Sequence, residues 1–301
     1  MPGFAGAQLL DPKALAGIRD LELVARGVVQ GFVNGLHRSP YLGVSVDFAE
    51  HRAYMPGDDI RRIDWRVFAR NDRFYVKEFE ADSNANFLLL LDTSKSIRFA
   101  SRGVSKLQYG VMLAACLAYF ARGQRDRVGL ITFDRDVKDY IPPSAKHLDA
   151  ILHALSRLAD TESQGEGALL PTLFRAAESE RRRGIVVLIS DLYEEPEAAA
   201  RGLRALGYRG SDLIVFHVLD PAEREFPYTD AANFSDLETG DRLPIVPEYV
   251  RAQYQKLVAE HIASLGRLLG EARVDYTLLD TGETLDHGLR RYLARRERTT
   301  R

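Results

Sequence analysis

Residues Asn86 to Ser96 read NFLLLLDTSKS, an unbroken apolar run that stops abruptly on acid and hydroxyl side chains. A run this short and continuous predicts a buried parallel strand covered on both faces. Asp92, Ser94 and Ser96 then emerge at alternate positions where the strand ends. In an open α/β sheet the carboxyl ends of the strands are where ligands bind. Three oxygen-bearing side chains with no His or Cys among them suit a hard divalent cation such as Mg²⁺, with Mn²⁺ as its substitute. The competing reading is local: Asp and Ser are common in loops and caps, and Ser94 or Ser96 would then cap the next helix. A second feature strengthens the cation reading. Gly184 to Ser190, GIVVLIS, is another continuous apolar strand, and it too ends on an acid, Asp191. In a doubly wound sheet two such exits can be neighbours, so that both acids face one ion.

The rest of the chain supplies the alternation such a sheet needs. Helical spacing of Leu15, Ile18, Leu21, Leu23, Val24, Val28 and Phe32 predicts a helix over residues 12–36, opened by Asp11-Pro12. Val44–Phe48 and Phe74–Phe79 alternate like strands, and Pro56-Gly57-Asp58-Asp59 is a turn signal. Further strands are predicted at Arg127–Phe133, Val137–Ile141, Asp212–Leu219 and Val274–Leu279, with helices at Lys106–Arg122, Ala145–Leu158 and Pro247–Gly270. A hairpin is predicted between Phe226 and Ile245, turning at Glu238–Asp241. The implied fold is α/β, a doubly wound and mainly parallel sheet. Three parts follow: an N-terminal helical segment (1–36), a small β-rich subdomain (37–82) and an α/β domain (83–301) with a hairpin insertion near 226–246.

The formal net charge of −2, with acids and bases interspersed, argues against nucleic acid or an anionic membrane as the main partner. The single cysteine, Cys116, sits in the apolar stretch VMLAACLAYF and reads as core packing in a reducing compartment. With neither a signal-peptide pattern nor an apolar run of about 18 residues, the expectation is a cytoplasmic protein not inserted in a membrane. The sequence has no G-x-x-x-x-G-K-[ST] loop, G-x-S-x-G elbow or H-E-x-x-H helix, and its seven histidines are dispersed, so no catalytic residue is assigned.

The stretch from Asp92 through Asp191 resembles a von Willebrand factor A domain. Asp92, Ser94 and Ser96 match the first loop of its metal-ion-dependent adhesion site, and Asp191 matches the aspartate of the third. The second loop of that family supplies a threonine, but Gly167 falls at its position here, leaving Thr161 or Ser163 as hydroxyls from the same loop. A longer string is more specific. RSPYLGVSVDFAEHRAYMPGDDIRRIDWRVFARNDRFYVKEFE resembles the signature of domain-of-unknown-function family fifty-eight, through Asp47-Phe48, Glu50, Arg52, Tyr54, Pro56-Gly57-Asp58-Asp59, Arg61, Ile63-Asp64-Trp65, Ala69-Arg70 and Lys77-Glu78. The resemblance covers roughly residues 10 to 220. It implies a Rossmann-like von Willebrand factor A fold and a gene neighbourhood shared with MoxR-type AAA+ ATPases.

Function is therefore expected to be binding: a non-enzymatic adaptor acting with a MoxR-type ATPase and a client protein, with Mg²⁺ at Asp92, Ser94, Ser96 and Asp191. Arg61, Arg62, Trp65, Arg66 and Arg70 are candidate partner contacts, since Arg and Trp dominate interface hot spots. The alternatives are a metal-dependent hydrolase using an activated water, and a structural interaction module whose metal site has decayed.

Overall fold

The structure is a computed structural model that describes residues 11–18, 20–37, 51–53, 75–77, 85–158, 184–207, 210–237, 239–286 and 288–291. The chain divides into two units, residues Met1–Phe32 with Ala85–Arg301, and Val33–Asn84. Within the smaller unit, β1 (His51–Ala53) and β2 (Tyr75–Lys77) pair antiparallel, with Arg52 opposite Val76. The strand expected at Val44–Phe48 and the turn at 56–59 lie outside the described residues.

The larger unit opens with two helices where the spacing predicts one. Helix α1 (Pro12–Ala16) is capped by Asp11, whose side chain accepts from the Lys13 amide, and it stops at Gly17. Helix α2 (Leu21–His37) starts afresh because the Asp20 carboxylate accepts from the Leu23 amide at 3.0 Å. This new start resets the phase, so Leu21, Val24, Ala25 and Val28 are buried while Ile18 and Leu23 are exposed.

The main sheet has six strands: β3 (Asn86–Asp92), β4 (Arg127–Phe133), β5 (Val137–Ser144), β6 (Gly184–Ser190), β7 (Asp212–Leu219) and β10 (Asp275–Asp280). Their spatial order is β10-β7-β6-β3-β4-β5. All neighbours run parallel except β5, an antiparallel edge strand. This is the doubly wound order, in which the chain moves outward from β3 in one direction and then returns to build the other half from β6. The central strands are continuous apolar runs because both faces are covered; Phe87 to Leu91 are essentially inaccessible.

Helix α3 (Lys106–Gly123) lies against one face and packs on α4 (Leu148–Leu158). On the other face, Leu88, Leu90, Val186, Leu188 and Val215 form a core with Leu203 of α5 (Pro196–Gly207) and with Leu265 and Leu269 of α7 (Pro247–Glu271). The alternation of strand side chains sorts them between these layers. Gly110 brings α3 closest: a Cβ there would stand 3.1 Å from Leu91 Cδ1 and 3.2 Å from Ile189 Cγ2, one contact on each central strand.

Between β7 and α7 come a short helix α6 (Pro221–Glu225) and the expected hairpin, β8 (Ala232–Ser235) with β9 (Arg242–Ile245). An aromatic cluster of Phe226, Tyr228, Phe234 and Tyr254 packs at its base. At the opposite edge, β5 runs three residues beyond its predicted end, and its ladder with β4 is irregular between Val128 and Leu130. Pro142 and Pro143 fall at this irregularity, where a Cβ on Gly129 would stand 2.8 Å from the Pro143 nitrogen.

Candidate functional site

Strands β3 and β6 are hydrogen-bonded parallel neighbours, and the order in which strands are added reverses between them. Their carboxyl ends are thus the topological switch point of the sheet, and Asp92 and Asp191 stand there. Thr93, between the first acid and the first hydroxyl, faces the other way. Its amide and its Oγ1 both donate to the Phe133 carbonyl, at 2.6 and 2.8 Å, fastening the loop to β4. Alternation then leaves Asp92 and Ser94 together on the other side of the chain.

Asp92 Oδ1 accepts from the Ser94 amide at 2.9 Å, and Oδ2 accepts from Ser190 Oγ at 2.7 Å. The Ser94 and Ser96 hydroxyls are 3.2 Å apart and hydrogen-bonded to each other. Neither caps the following long helix. That role belongs to Ser105, whose Oγ accepts from the Gln108 amide while Gln108 Oε1 accepts from the Ser105 amide. The capping interpretation of Ser94 and Ser96 is thereby removed. Burial, with the nearby Asp191 carboxylate second, raises the Asp92 pKa from 3.8 to about 7.

Ser190 couples the two exits. While its hydroxyl donates to Asp92, its oxygen accepts from the Leu192 amide at 3.1 Å. Leu192 is buried in left-handed backbone, φ 47°, a conformation that costs a non-glycine residue energy. His261 holds the same turn through a 2.9 Å hydrogen bond between Nε2 and the Leu192 carbonyl. Ser190→Ala strands an acceptor on Asp92 and a donor on Leu192. The expected cost is about 1–3 kcal/mol, read as a lower urea midpoint with an unchanged slope.

Asp191 has a partner that the sequence reading did not identify. The Lys106 ammonium, fully buried at the start of α3, donates to Asp191 Oδ2 at 2.8 Å and to Glu223 Oε1 at 2.7 Å. Its Nζ also lies 4.6 Å from the centre of the Tyr193 ring. Burial alone would lower the Lys106 pKa, but the two carboxylates outweigh it and hold the ammonium above the ordinary lysine range. Glu223 is itself fixed, since its Oε2 accepts from the Asp220 amide at 2.9 Å in the capping box of α6. Beside this cluster, His217 Nδ1 is 2.7 Å from the Tyr276 hydroxyl, and burial together with His261 pushes its pKa down to about 3, leaving it neutral. Although dispersed in sequence, His217 and His261 bring their ring centres to 6.4 Å.

By donor type, Asp92, Ser94, Ser96 and Asp191 offer oxygen atoms alone, the kind a hard cation takes. Among the described residues no three His, Cys, Asp or Glu side chains form a metal-binding group, so Ser94 and Ser96 hydroxyls are needed to complete a donor set. Thr161, Ser163 and Gly167 lie outside the described residues, as do Arg61, Arg62, Trp65, Arg66 and Arg70. Cys116 is buried, its thiol pushed up to about 12 by burial, which suits packing and not reactivity. Among the described residues no helix is long and apolar enough to cross a membrane.

Lys106 had a sequence signal: it is the one charge in the otherwise uncharged stretch from Lys106 to Ala121. Glu223 and Ser190 had none, because their roles depend on partners distant in the chain.

Several known proteins are similar to this chain. A Mycobacterium tuberculosis protein named "Uncharacterized protein Rv1480" is 28% identical, the match covering 99% of this chain and 94% of the relative. Its Mycobacterium bovis counterpart, "Uncharacterized protein Mb1516", matches equally. An aerotolerance-related membrane protein from Bacteroides fragilis aligns over 65% of this chain and 92% of its own, at 18% identity and a TM-score of 0.46. The SpRpn10 VWA domain aligns over 66% of this chain and 89% of its own, at 10% identity and a TM-score of 0.38. The sheet order is that of a Rossmann-like doubly wound fold, in agreement with the von Willebrand factor A fold that the sequence resemblance implies. Residues 50–264, well over half of the chain, match the family "Protein of unknown function DUF58", and the chain belongs to it.

Proposed function

We propose that this protein is a non-enzymatic binding adaptor whose recognition site is the Asp92–Asp191 end of the sheet, loaded with Mg²⁺. The observation that carries the reading is the junction of two acid-ended strands through Ser190, with the paired hydroxyls of Ser94 and Ser96 beside it. Asp92, Ser94 and Ser96 would hold the ion, with Asp191 joining directly or through water. Bound there, Mg²⁺ supplies an open coordination position for a carboxylate of the partner. The chain's own part is to hold the loops: Thr93 anchors the first, and Ser190 and His261 fix the turn at Leu192.

A fold of this kind suits protein interaction. Following the family resemblance, the partners are a MoxR-type AAA+ ATPase and a client complex that the pair assembles or remodels.

Calorimetric titration with Mg²⁺ and Mn²⁺ tests the reading. Affinity in roughly the micromolar to millimolar range, absent in Asp92→Ala, is the expected result, together with capture of the ATPase that chelator abolishes. Turnover of a phosphoester or peptide substrate would overturn it. Metal-indifferent capture would favour a cation-free interaction module, a reading to which the Lys106–Asp191 pair lends support.

A further inference from the structure

Two features of Lys106 call for a role beyond packing. A fully buried lysine is costly unless its charge is matched, and this one takes half of its match from Asp191, a residue of the candidate cation site. Its position is also enforced from several sides. Lys106 is the first residue of a helix with a complete capping box, and its amide donates to the Phe99 carbonyl at 3.1 Å. Glu223, the other acid, is locked by the capping box of α6. Asp220, which caps that helix, is fully buried and accepts from the amide and the hydroxyl of Ser101 in the loop leading to α3. The ammonium therefore has little freedom to swing away from Asp191.

We propose that Lys106 is a tethered internal cation that shares Asp191 with the divalent ion and so sets a weak, exchangeable affinity at this site. The proposal rests on the cation reading above, and deepens it. The physical basis is competition. Asp191 Oδ2 is committed to the ammonium, so an arriving ion must share this carboxylate with Lys106. A positive charge fixed one carboxylate away also repels a divalent ion in a poorly solvated setting, where such repulsion is far stronger than in water. Glu223 acts in the opposite sense, offsetting part of the Lys106 charge. A site built this way keeps Asp191 neutralised when no ion is bound, and it releases the ion readily.

Simple support of Asp191 by Lys106 predicts the reverse sign, so the two roles separate in one measurement. Lys106→Met and Glu223→Gln are titrated with Mg²⁺ and Mn²⁺ by calorimetry beside the unaltered protein. Competition predicts affinity at least about tenfold higher in Lys106→Met and severalfold lower in Glu223→Gln. Unchanged or weaker binding in a folded Lys106→Met protein overturns the proposal. Lys106→Met leaves Asp191 and Glu223 as buried like charges, a change that can prevent folding. The double variant Lys106→Met/Glu223→Gln avoids this conflict, and it must bind at least about tenfold more tightly than Glu223→Gln alone; equal affinity overturns the proposal. Should the unaltered protein bind no ion while Lys106→Met does, Lys106 stands as the suppressor and the resident Mg²⁺ falls. Absence of binding in every variant sinks both.

Discussion

Asp92→Asn is expected to make the cation-free protein more stable at pH 8, not less. Burial and the Asp191 carboxylate raise the Asp92 pKa from 3.8 to about 7. The folded protein therefore holds this proton more tightly than the unfolded chain does. Below about pH 4 both states are protonated and no penalty arises. As pH rises from there to about 7 the unfolded chain releases its proton first, and stability falls. The full loss is of order 4 kcal/mol, complete once pH passes the folded value. Asn carries no charge to desolvate, and its amide can meet Ser190 Oγ while its oxygen accepts from the Ser94 amide. Urea unfolding at pH 5 and pH 8, without divalent ions, should show the unaltered protein losing stability relative to the variant as pH rises; buried His217 shifts both proteins alike, so the difference between them reports Asp92. Added Mg²⁺ should raise the pH 8 stability of the unaltered protein only. Identical pH profiles for the two proteins would show that Asp92 is not the titrating acid.

Gly184→Ala is the second large expected effect. A Cβ at this position would lie 2.2 Å from the Asn86 carbonyl oxygen, a backbone atom that no rotamer change can remove. Gly184 opens β6 opposite Asn86 at the start of β3, so relief requires the two central strands to part where their pairing begins. Overpacking of this kind costs about 1–3 kcal/mol, and rigid backbone puts Gly184 at the upper end. The measurement is the urea midpoint. Because the same two strands carry Asp92 and Asp191 at their far ends, Mg²⁺ affinity should fall as well, by an amount that reports how stiffly the strands transmit the displacement. An unchanged midpoint would mean that the strand pair accommodates a methyl group without opening.

The sheet was legible in the sequence because its central strands are buried on both faces. Arg127–Phe133, Gly184–Ser190 and Asp212–Leu219 are each a continuous apolar run with polar punctuation, and each strand has those bounds in the structure. The amphipathic N-terminal segment was harder. Helical spacing continues through Gly17 and Asp20 although the helix does not, since a cap resets the phase without breaking the count of apolar residues. At the candidate site, the positions of Asp92 and Asp191 at strand ends could be read from the runs that precede them. Their surroundings could not. Lys106 meets Asp191 across 85 residues and Glu223 across 117, and Ser190 meets Asp92 across 98. Such pairings depend on which strands are neighbours, and no local pattern records that.

The prolines of β5 bear on how a protein of this kind stays discrete. A parallel sheet ends in a row of unsatisfied amides and carbonyls, a template on which a second copy can add strands without limit. Pro142 and Pro143 put two nitrogens without hydrogens near the C-terminal end of that border, at the point where the ladder with β4 already loses its register. The outermost strand is thus a poor seed for polymerisation along this side. A fold suited to protein interaction must also avoid joining copies of itself strand to strand. Guarding this border leaves side-chain contacts as the route of association, where it can be selective and reversible.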